Sequence, residues 1–202
     1  MKQTLSLIAI LAAYPALAEE TRQLDAHEHG VGALNIAVDG TTLAMEFHAP
    51  GADIVGFEHA ANSQEDRAAV DAAVATLAAP LDLFVLPAGA ECSVTQASAE
   101  LESEEDHEDH AADEDHEDHE DHEEHAEHDE HEEHADEAGH TEFHAEYTLN
   151  CANPEALTEI TFAYFDTFEN ARELEVQVIT ASGAQAFEVE RDAPVLDLRS
   201  QF

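Results

Sequence analysis

The sequence predicts an α+β fold: a predominantly antiparallel β-sheet domain with one main helix and a long disordered His/Asp/Glu-rich loop inserted between two strands. Three observations predict it. Short runs alternate apolar and polar residues with a period of two between turn residues. A stretch before Pro80 carries apolar residues at helical spacing. Between two of the alternating runs lies a segment of acids, His and Ala with nothing to bury, which cannot offset the entropy of ordering.

Residues 1–18 are expected to be a signal peptide outside the fold. Lys2 supplies a positive start, Leu5 to Ala13 an apolar stretch too short to span a bilayer as a mature helix, and Ala16-Leu17-Ala18 a cleavage site. The mature chain is then expected to run as a single domain over 19–202, interrupted at 100–139, and to be exported without membrane insertion or a lipid anchor. Ala33 to Val38, the turn Asp39-Gly40, and Thr42 to Phe47 read as a hairpin with Leu43, Met45 and Phe47 on one face. After Pro50 and Gly51, Asn62 or Ser63 can cap a helix whose stripe is Val70, Val74 and Leu77. Cys92 to Ala99 and Phe143 to Cys151 read as two more strands bracketing the acidic segment. Ile160 to Phe165, Leu174 to Thr180, Gln185 to Glu190 after a Ser182-Gly183 turn, and an edge strand at Val195 to Leu198 complete the sheet.

Charge narrows the function. The chain holds 48 Asp+Glu against 6 Lys+Arg, for a net charge of -42. Phosphate neutralisation needs cationic side chains, so nucleic acid and anionic lipid surfaces are excluded as partners. In an oxidising compartment Cys92 and Cys151, the only two cysteines, are expected to pair as a disulfide. Oxidised thiols cannot ligate metal, and the mature chain keeps only Met45, so soft-sulfur chemistry for Cu(I) is largely excluded.

Chemistry concentrates in the acidic segment. From His107 to His134 all 28 residues are His (9), Asp or Glu (16) or Ala (3). After His107 and His110, the imidazoles of His116, His119, His122, His125, His128, His131 and His134 recur at every third position. That spacing brings neighbouring rings together in a helix or along one edge of a polyproline-like chain. It suits many equivalent ions rather than one unique site. Imidazole and carboxylate without thiolate favour Zn2+, with Cu2+ and Ni2+ close behind, whereas Ca2+ and Mg2+ gain nothing from imidazole. The carboxylates should raise the imidazole pKa values, so that binding weakens as pH falls toward about 5. A bare acidic run is ordinarily only a solvated loop; the regular histidines move the balance to metal, with a pH-responsive spacer as a lesser alternative.

Outside the tract, His27-Glu28-His29-Gly30 places two imidazoles on one face of an extended chain about 7 Å apart. His59 closes Gly56-Phe57-Glu58-His59, and His140 and His144 lie where the chain re-enters the sheet. Singly each is more often a surface or packed histidine, but one pair with a histidine at the loop root could complete an ordered four-ligand site. His48 continues the solvent-side phase of Ala44 and Glu46 and is assigned no role.

The set His27-Glu28-His29-Gly30-Val31, Asp39-Gly40, Gly56-Phe57-Glu58-His59-Ala60, the His-Asp/Glu tract, and His140-x-Glu142-Phe143 followed by Tyr147 and Cys151 resembles the ZrgA-type family of periplasmic zinc-binding proteins. The resemblance covers essentially the whole mature chain. It implies a zinc-binding accessory to zinc uptake that works with a zinc ABC importer. It also implies ordered ligands at His27, His29, His59 and His140, with His144 or Glu142 as substitutes. The alternatives are copper or nickel sequestration and, less favoured, a zinc hydrolase for which Glu28 or Glu58 would serve as base. No His-Glu-x-x-His helix, serine elbow, cysteine nucleophile or phosphate cradle supports catalysis, so the chain is expected not to be an enzyme.

Overall fold

The alternation in 31–50 produces the first hairpin of the protein, whose computed structural model describes residues 28–103 and 140–201. β1 (Val31–Asp39) and β2 (Thr42–Pro50) pair antiparallel from Ala33↔His48 to Asp39↔Thr42. Gly40, with φ 59°, opens a turn whose two central residues are Gly40 and Thr41, one residue later than Asp39-Gly40. β4 (Cys92–Ser103) and β5 (Thr141–Cys151) form the second hairpin, and β5 pairs with β2 on its other side. β7 (Glu173–Thr180) and β8 (Gly183–Glu190) form the third.

β7 joins the sheet beside β1 in parallel, giving the order β4-β5-β2-β1-β7-β8. The predominantly antiparallel expectation holds, with this one parallel seam inside it. A second sheet of β3 (Phe84–Val85), β6 (Glu159–Phe162) and β9 (Val195–Asp197) is hydrogen-bonded separately from the first, with β6 central and β9 at its edge. The run Ile160 to Phe165 is therefore not one strand. It leaves the extended conformation at Ala163 and forms the one-turn helix α4 (Tyr164–Thr167). Strand β4 likewise carries its pairing through Ser103↔Thr141, so residues 100–103 belong to the sheet rather than to the intervening segment.

The main helix is α2 (Gln64–Leu77), preceded by α1 (Gly51–Ile54) and followed by α3 (Pro80–Leu83). Ser63 caps it: its hydroxyl accepts from the Asp66 amide while the Asp66 carboxylate accepts from the Ser63 amide, a reciprocal capping box worth about 1 kcal/mol. Ala73 and Leu77 are its buried residues, with Val70 and Val74 packed at the margin.

Every second residue of β2 and β5 points into the core: Leu43, Met45, Phe47 and Ala49 on one, Phe143, Ala145, Tyr147, Leu149 and Cys151 on the other. Against them pack rings from the small sheet and α4. Phe47 meets Tyr164 edge-on at 5.3 Å and Phe84 at 6.0 Å, and Phe84 meets Phe162 edge-on at 5.9 Å. Burial pushes the Tyr147 and Tyr164 phenols well above the usual tyrosine range. Arg191 ties the α4 corner together, donating to the carbonyls of Phe165, Phe168 and Ala171, with its guanidinium 5.7 Å from the Phe165 ring centre. Cys92 and Cys151 face each other across the β4–β5 ladder and are disulfide-bonded, as the sequence predicts.

Candidate metal sites

Four of the five described histidines gather into two clusters, at one end of the sheet and on its outer face. The first is built by the turn before β1. The Gly30 amide donates to both oxygens of the buried Asp53 carboxylate, at 2.7 and 3.0 Å, and the Gly30 carbonyl accepts from the Arg172 and Glu173 amides at the start of β7. Gly30 has φ 94°, a conformation that other residues adopt at a cost, so the turn depends on glycine here. It presents His29. From the other side comes Glu58, in the link between α1 and α2. That link runs close against the start of β5: a Cβ on Gly51 would lie 2.5 Å from Thr141 Oγ1 and 2.6 Å from the Phe57 carbonyl, so only glycine admits the approach.

The result is a carboxylate flanked by two imidazoles. His29 Nε2 lies 2.9 Å from Glu58 Oε1, and His140 Nδ1 lies 3.0 Å from Glu58 Oε2. The Glu58 side chain is 12% exposed beneath rings that are 63% and 54% exposed. A nearly buried anion with two accessible nitrogen ligands on it is an arrangement in which a dication can replace shared protons. His59 makes separate contacts: its ring stacks on Phe57 at 4.6 Å, and its Nδ1 is 3.0 Å from the Ala60 carbonyl. His27, the nine histidines of the tract and the signal-peptide expectation lie outside the described residues.

The second cluster comes from the outward phase of β2, β5 and β4. Register sets His48 directly beside His144, Glu46 beside Glu146, and Glu100 on the far side of His144. The His48 and His144 rings stack at 4.4 Å and 13°. Glu46 Oε1 lies 3.5 Å from His48 Nε2 and 3.7 Å from His144 Nε2. The Nδ1 atoms face carboxylates of their own: Glu142 Oε1 at 3.8 Å for His48 and Glu102 Oε1 at 3.2 Å for His144. The Asn35 amide donates to Glu46 Oε2 at 3.3 Å.

Electrostatics here are one-sided, because no Lys or Arg occurs in β2, β4 or β5. Glu142 raises the His48 pKa, burial opposes the rise, and Glu46 adds to it. Burial also works to raise the Glu46 carboxyl, but hydrogen bonds from Asn35 and His48 outweigh it and leave the pKa lowered.

Among the predicted ligands, then, His29 and His140 come together, whereas His144 and Glu142 stand in the other cluster. Sequence reasoning assigned no ligand role to Glu46, His48 or Glu102, and considered Glu58 only as a motif residue and as a base for the less favoured hydrolase. The available signal was Glu46-x-His48: residues two apart in a strand share a face, and His144 lies on the outward phase of its own strand.

A family model described as ZrgA family zinc uptake protein matches residues 26–198, and no curated protein matches the chain. The matched span takes in both clusters and the whole segment between β4 and β5.

Proposed function

The chain belongs to the ZrgA family of zinc uptake proteins, and from that premise we propose that it is a periplasmic zinc-binding protein which captures and buffers Zn2+ and supports its uptake. Capture falls to the tract between β4 and β5, through many weak equivalent sites; an ordered site built from His29, His140 and Glu58, to which His27 and His59 are assigned as further candidate ligands, holds an ion more firmly. Release goes to the periplasmic component of a zinc ABC importer. The domain binds and passes on its cargo without catalysing a reaction.

The observation that carries this reading is the meeting of His29 and His140 on the two oxygens of Glu58, residues drawn from 82 positions apart in the case of His140 and Glu58. Nitrogen and carboxylate donors without thiolate suit zinc held exchangeably. Titration calorimetry of the full chain with Zn2+ near neutral pH is expected to show several equivalents of graded affinity, and His29→Ala to remove a firmer one while sparing the weak ones. A chain that takes up no Zn2+ overturns the proposal; tighter uptake of Cu2+ or Ni2+ at equal supply would turn it toward sequestration of those ions.

A further inference from the structure

We infer that the outer face of the sheet carries a second ordered transition-metal site, with Glu46, His48 and His144 as ligands and Glu102 and Glu142 as the carboxylates that orient the two imidazoles. One donor atom from each of the three ligands lies within 4.8 Å of the others. Zinc bonds of about 2.0–2.1 Å arranged tetrahedrally place donor atoms about 3.3 Å apart. The 3.5 and 3.7 Å separations from Glu46 Oε1 to the two Nε2 atoms lie within a few tenths of an ångström of that spacing, and the two stacked rings, 4.4 Å apart, would turn from parallel to bring both nitrogens onto one ion. The ligands stand on adjacent rungs of paired strands, so the backbone is already in place.

Two further features point to an ion rather than to solvated charge. His144 Nε2 is buried and has no hydrogen-bond partner among the described residues, although its side chain is only 15% exposed. A buried nitrogen lone pair left without a donor is costly unless something else occupies it. Behind each ring a carboxylate faces Nδ1, with Glu102 within hydrogen-bond distance of His144. A carboxylate that accepts from Nδ1–H fixes the tautomer in which Nε2 is the free ligand, and it raises the basicity of the ring. The same acid–imidazole–metal relay recurs in protein zinc centres.

Two imidazoles and one carboxylate leave the fourth tetrahedral position open. A closed set of four protein ligands suits a structural ion; three ligands and an open position suit an ion that water or an incoming side chain can reach. The ligand class is a borderline dication of the Zn2+ type, carried as cargo. The site shares no residue with the Glu58 cluster and stands independently of it.

The test is Zn2+ titration of the purified full chain against a chromogenic chelator strong enough to strip the weak sites. His48→Ala and His144→Gln are each expected to remove the same tight equivalent, and Glu102→Gln to keep it with affinity reduced about 10–100-fold. His29→Ala should leave this equivalent in place. Imidazole 15N resonances provide a readout that needs no variant: Nε2 of His48 and His144 should shift together in the unaltered protein. Wild-type numbers and affinities of tight equivalents in both histidine variants, or unmoved resonances as Zn2+ is added, overturn the sheet-face site while leaving the capture reading intact. A chain that binds no Zn2+ at all overturns both.

Discussion

The two faces of the six-stranded sheet are made by the same strands and obey opposite rules. On β2, Leu43, Met45 and Phe47 turn inward while Glu46 and His48 turn outward; on β5, Phe143, Ala145 and Tyr147 turn inward while Glu142, His144 and Glu146 turn outward. Inward positions are fixed by volume and by the exclusion of water. Outward positions carry little folding energy, so their composition records what the surface does. An outward row of acids and imidazoles on strands that carry no Lys or Arg is unfavourable for an isolated protein and becomes less so when dications are supplied.

Substitutions on the two faces should therefore separate stability from metal binding. The largest effect is expected from Phe47→Ala, which removes a fully buried ring from contact with Tyr164 and Phe84 and should lower stability by about 3–5 kcal/mol in urea denaturation. Next comes replacement of both Cys92 and Cys151 by Ser. The bond closes 59 residues of chain, so on the loop-entropy account its loss costs about 4 kcal/mol, seen as a lower denaturation midpoint of the metal-free protein. The smallest belongs to the outer face: His48→Ala should move stability by no more than about 0.5 kcal/mol in the absence of metal. An equally large loss there would mean that the outer row is part of the packing and would erase the distinction between the faces.

What the sequence made legible was whatever depends on neighbours in the chain. Alternation located the β1–β2 hairpin, the polar pair Asn62 and Ser63 announced a cap for α2, which falls to Ser63, and two lone cysteines announced their bond. What it hid depends on partners far along the chain. The parallel seam between β1 and β7 has no local signature, and the Ile160 to Phe165 run is apolar enough to pass for one strand although it bends into a helical turn at Tyr164. His48 was legible as outward-facing but not as functional. Period two gives the face of a side chain, and only the register of β2 against β5 puts His48 beside His144. Glu58 was hidden in the same way, because the tight passage at Gly51 that delivers it to His140 exists only in three dimensions.

The parallel seam also sets an order of events. Gly30, next to His29, gives its carbonyl to Arg172 and Glu173, and β1 takes its outer neighbour from Glu173–Thr180, near the other end of the chain. Pairings of such sequence separation form late, because the loop between them must close before they return any energy. The corner that holds His29 thus matures only after the last third of the polypeptide has arrived. If that corner holds zinc as proposed, a nascent or truncated chain would lack a firm grip on the ion, and metal occupancy there would report that folding had finished.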